Sequence, residues 1–117
     1  MDRGQLRDRM KQFALRIINL VSRLPRNRVG DVMGRQLLRS GTSIGANYCE
    51  AMRASSKRHF ISIVEIAARE AGESLYWLEL LAESKTVKPT LLSALIQECN
   101  ELTAILTATA RSAKRRQ

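Results

Sequence analysis

An all-α protein, folded as an antiparallel up-down-up-down four-helix bundle, is what this sequence predicts, and three observations carry the prediction. Four segments repeat apolar residues at three- and four-residue steps, the signature of amphipathic helices. The composition is rich in Ala, Leu, Ile, Arg and Glu and holds only two prolines, which favours helix over strand. The connections between the segments are short, so consecutive helices must run antiparallel. At 117 residues, the chain suits one domain. Residues 1–111 are assigned to the bundle and 112–117 to a basic tail expected to be disordered.

The first helix is expected over about Gln5–Arg23, with Leu6, Met10, Phe13, Ile17, Leu20, Val21 and Leu24 on one stripe. Pro25 ends it, because proline cannot continue the helical hydrogen-bond ladder. Arg26-Asn27-Arg28 then makes a basic turn. The second helix is expected from an N-cap at Asp31 to about Arg53, with Val32, Leu37, Ile44, Tyr48 and Met52 as its apolar positions. A break at Gly41 is the alternative. Ser55 or Ser56 caps a third helix that runs to about Ser84 on Phe60, Ile63, Val64, Ala67, Ala71, Leu75, Leu78 and Leu81. Pro89 suits the first position of a fourth helix, whose stripe is Leu91, Leu95, Cys99, Leu102, Leu106 and Thr109. Further apolar residues flank these seams, among them Ile18, Tyr76, Trp77, Leu80, Leu92, Ile96 and Ile105. Burial against a second copy of the chain would account for some of them.

Charge is the most informative quantity. Twenty Lys/Arg face eleven Asp/Glu, a formal net +9. The excess lies in residues 1–58 and 111–117, whereas 59–110 is net acidic. Such a field points to a polyanionic partner, or to self-association of basic and acidic faces. The candidate nucleic-acid-binding residues are Arg23, Arg26, Arg28, Arg35, Arg39, Arg53, Lys57, Arg58, Arg111, Lys114, Arg115 and Arg116. In an up-down bundle Lys57, Arg58 and the tail share one end. No aromatics interleave with these charges, so binding is expected through the phosphate backbone and not through stacking. A solubilising charged surface is the simpler reading.

Other chemistries find little footing. Gly41 to Gly45 lacks the lysine of a phosphate-binding loop. His59 is the single histidine, too few for a di-iron bundle. Cys49 and Cys99 lack metal-site spacing and are expected to be buried, reduced thiols. No cofactor, metal or membrane span is expected. No leader pattern opens the chain, and a cytoplasmic location follows. Arg53 and His59 resemble the Arg-x(4–6)-His signature of HEPN ribonucleases, which implies an alternative as a nuclease. The residue after the arginine is Ala54, where that signature is usually polar. Glu50, Glu70 and Glu73 are expected to pair with Arg35, Arg39 or Asn47.

Gln36 to Ala51, QLLRSGTSIGANYCEA, resembles the signature of the bacterial four helix bundle proteins, also called 23S rRNA-intervening sequence or S23-like proteins. The blocks at Lys57–Phe60, Ile66-Ala67, Glu70-Ala71, Glu73-Ser74, Tyr76-Trp77-Leu78 and Glu98–Leu102 resemble its later parts. The resemblance spans about residues 10–110. It implies antiparallel four-helix subunits in a homopentameric ring, with no catalytic residues. A similar fold serves as the basic accessory protein of diversity-generating retroelements, which implies a reverse transcriptase as an alternative partner. Within the motif, Ser40, Gly41, Ser43, Gly45 and Ala46 are expected to let helices approach closely. Asn47 and Glu50 are expected to act as polar locks within the bundle or between subunits.

Overall fold

A computed structural model describes residues 1–116. Four helices follow one another: α1 (Arg3–Ser22), α2 (Arg28–Met52), α3 (Lys57–Glu83) and α4 (Pro89–Arg115). The rod they form measures 48 × 21 × 19 Å. Each helix packs closely on its sequence neighbour, while α1 and α4 meet sparsely.

Local chemistry fixes the boundaries. Asp2 and Gln5 form a reciprocal capping box at the start of α1. α2 begins earlier than the sequence suggests: Asn27, not Asp31, is its N-cap, and the Asn27 side chain accepts from Gly30 N–H at 2.8 Å. The cause is Gly30. A Cβ there would lie 2.0 Å from the Pro25 carbonyl oxygen, so glycine lets the new helix start directly against the turn that ended α1. Ser56 caps α3 by accepting from His59 N–H. Pro89 opens α4, where no side chain caps the free N–H groups. α4 stays helical to Arg115, so the tail expected to be disordered from residue 112 is instead the last turn of the bundle. Gln117 lies outside the described residues.

The core runs the length of the rod. Met10, Phe13 and Ile17 from α1 meet Leu37, Ile44 and Tyr48 from α2, Val64, Ala67, Ala71 and Leu78 from α3, and Leu92, Leu102 and Leu106 from α4. Several expected core residues fall outside it. Val32 and Met52 are exposed; Gly30 and Gly34 take the inward positions near the first, and Tyr48 and Ala51 those near the second. Leu91 is 71% exposed and Leu92 takes its place. Thr109 likewise yields to Ala110. Cys99 is buried and donates to the Ala71 carbonyl at 3.2 Å; burial pushes its thiol pKa up to about 12. Cys49, expected to be buried, is exposed.

The small-residue motif is continuous helix. Gly34, Gly41 and Gly45 face α1, and a Cβ on Gly41 would sit 3.0 Å from Ile17. Ser40 faces α3, where the Ser74 hydroxyl donates to it at 2.8 Å. Ser43, Ala46 and Asn47 do not join this packing; Ser43 and Asn47 hydrogen-bond back to their own helix. Glu50 is exposed and forms no ion pair among the described residues. Within the subunit neither locks one helix to another: half-buried Asn47 bonds only to its own helix, and Glu50 is exposed.

Candidate nucleic-acid interface

The up-down topology sorts ten of the twelve candidate cations into two groups at opposite ends of the rod. Arg23, Arg26 and Arg28 surround the α1–α2 turn. Arg53, Lys57 and Arg58 surround the α2–α3 turn, and Arg111, Lys114, Arg115 and Arg116 line the end of α4, which reaches the same pole. Arg53 and Arg28 are 25 residues apart along one helix, or roughly 37 Å at 1.5 Å per residue. The candidates therefore form two sites and not one surface. Arg35 lies exposed on α2 between them.

Arg39 belongs to neither group. Its guanidinium donates to Glu70 at 3.2–3.3 Å and to Glu73. Trp77 Nε1 donates to the same Glu73 carboxylate at 3.1 Å. That bond, with Arg39 beside it, holds the Glu73 pKa below the usual carboxylate range. Two of the three carboxylates expected to pair with arginine thus do so, and Arg39 is taken up in clasping α2 to α3. A second clasp joins α1 to α4, where Arg9 donates two 2.7 Å bonds to Glu98 and one of 2.6 Å to Glu101. Both clasps have the same polarity. The cation comes from the α1–α2 hairpin and the carboxylates from α3–α4, which translates the charge asymmetry of the sequence into two layers.

The pole where the chain begins and α4 ends holds the stronger field. Arg53, Lys57, Arg58, Arg111, Arg115 and Arg116 are exposed, and none lies within ion-pair distance of a carboxylate among the described residues. Lys114 does, at 2.6 Å from Glu65. The N-terminus of α3 opens on this pole without an acidic residue in its first turn, so no carboxylate there offsets Lys57 and Arg58. Sequence reasoning missed two contributors here. Arg3 lies 5.0 Å above the ring of the half-buried Phe60, so an aromatic does stand among these charges. Arg69 joins Arg111 and Lys114 along a groove between α3 and α4. The signal for Arg3 was available, because an up-down bundle brings both ends of the chain together.

His59 is exposed in the first turn of α3 and Arg53 is the exposed C-cap of α2. No group of three or more His, Cys, Asp or Glu side chains among the described residues could hold a metal. No described helix is long and apolar enough to cross a membrane.

The sequence model of the 23S rRNA-intervening sequence proteins matches residues 5–108. A solved structure from Bacteroides thetaiotaomicron, a protein of unknown function from the S23 ribosomal protein family, superposes with a TM-score of 0.87 at 37% identity. The match covers 95% of this chain and 99% of that one. No curated protein is significantly similar in sequence.

Proposed function

The chain belongs to the 23S rRNA-intervening sequence protein family, and from that premise we propose that it is a non-enzymatic, self-associating bundle that binds nucleic acid, RNA first, in the cytoplasm. The observation that carries this reading is the convergence of Arg53, Lys57, Arg58, Arg111, Arg115 and Arg116 on one pole without paired carboxylates among the described residues. Arginine forks suit phosphate oxygens. The pole presents its cations at helix ends and around the α2–α3 turn, an arrangement that suits contact with phosphates and not with base edges.

A salt titration of binding to a structured RNA tests the reading. The logarithm of the association constant is expected to fall linearly with the logarithm of salt, with a slope set by the phosphates neutralised. Replacing Arg53, Lys57 and Arg58 together by Ala lowers that slope by about 2–3. Replacing Arg26 and Arg28 at the opposite end changes it little. Absence of binding at low ionic strength would refute the proposal.

A further inference from the structure

The sparse α1–α4 contact leaves a groove of about 580 Å³ at the end of the rod away from the basic pole. Its apolar lining comes from Leu20, Leu24, Val87, Leu91, Leu92 and Leu95, and Arg16, Arg23 and Lys88 stand along it. Neither Arg23 nor Lys88 has a carboxylate within ion-pair distance among the described residues. Arg16 also lacks such a partner, although its charge helps hold the Glu98 pKa down. The uncapped N-terminus of α4 opens beside Lys88 and adds its positive dipole end. An apolar floor is the wrong surface for phosphates. Its complement is a helix face that combines apolar bulk with carboxylates.

The chain carries one such face. On α3, Tyr76, Glu79, Leu80 and Glu83 follow one another at i, i+3, i+4 and i+7 and so share a stripe. Tyr76 is 55% exposed and its ring packs edge-on against Trp77, with centroids 5.3 Å apart. Glu79 and Glu83 are exposed and have no ion-pair partner among the described residues. The other large exposed apolar side chains of α1 and α2, such as Leu15, Ile18 and Leu38, lie in the basic half of the sequence.

We infer that the Tyr76–Glu83 stripe of one copy docks in the α1–α4 groove of another, with Glu79 and Glu83 meeting Arg23 and Lys88. The inference rests on the self-association proposed above and names its two surfaces. They do not overlap, so each subunit uses both, and the contact is heterologous: it closes into a ring or continues as a filament. Neither surface includes the α2–α3 turn or the end of α4, so the basic pole stays open.

Sedimentation of the full chain at micromolar concentration, with circular dichroism to confirm folding, tests this. The parent is expected to run as an oligomer. Leu91→Asp, at an exposed position, and Glu79→Lys with Glu83→Lys each shift it to monomer mass, weakening association by ~100-fold. Arg23→Glu with Lys88→Glu does the same, and mixing the two charge-reversed proteins restores larger species. A monomeric parent would remove the self-association reading altogether. An oligomeric parent whose folded variants keep its mass would overturn the docking inference alone.

Discussion

Single residues decide how closely the helices approach, and glycine is where this is most testable. Gly41 and Gly72 are both mid-helix, and each forgoes about 1 kcal/mol of helix propensity relative to Ala. Their surroundings differ. A Cβ on Gly41 meets Ile17 at 3.0 Å, whereas one on Gly72 meets nothing within 4 Å. Gly72→Ala is therefore expected to raise stability by about 1 kcal/mol. Gly41→Ala is expected to lower it by about 1–2 kcal/mol, because α1 must shift to admit the methyl. Urea denaturation of the two variants checks both signs, and equal effects would mean that close approach does not explain Gly41. The smallness of this motif was legible in the sequence. The direction of Asn47 and Glu50 was not. Polar residues beside a small-residue face can point inward or outward, and only the placement of α1 and α3 decides which.

At the scale of helices, the seams are held by unequal means. α2–α3 and α3–α4 are closed by apolar packing along their length, while α1–α4 depends more on the Arg9 clasp. Hydrogen bonding from Arg9 holds the Glu98 pKa below its ordinary value. A carboxylate with a depressed folded-state pKa contributes stability above its unfolded pKa, about 4.3, and loses it as pH falls through the lower folded value. Glu98→Gln is thus expected to cost about 1–2 kcal/mol near neutral pH, with the difference from the parent shrinking below about pH 4. Thermal melts of both proteins across that range check it; a difference independent of pH would mean that the loss is one of packing. Helix order and most boundaries were readable from caps and prolines. The phase of α4 was not. Leu91 and Leu92 are both apolar and precede Leu95, so the sequence allowed either to enter the core. The tail was misread because a run of cations looks like a solvated end, yet Lys114 and Arg115 in the last turn interact favourably with the C-terminal dipole of α4.

In the whole molecule, the proposed function would depend on how the basic poles of several copies are arranged. The sequence showed how much positive charge there is and in which segments; it could not show that Arg39 is taken up between α2 and α3, since it reads like any other arginine until Glu70 and Glu73 lie beside it. Among the described residues a single pole presents about half a dozen unpaired cations, which on the proposed reading would give salt-sensitive but weak binding to RNA. Docking through the α1–α4 groove, at the other end of the rod, would repeat that pole in every subunit of an assembly. A long RNA could then engage several poles at once, each further contact being intramolecular, whereas a short one could reach only one. Tyr76→Ala with Leu80→Ala removes the apolar part of the docking stripe without altering net charge. This variant is expected to bind a short oligonucleotide as the parent does and a long RNA ~100-fold more weakly. Binding measured with both lengths at one salt concentration separates the two layers of the proposal. Equal loss for both lengths would place the stripe itself in the RNA site. No loss for either would mean that each pole acts alone.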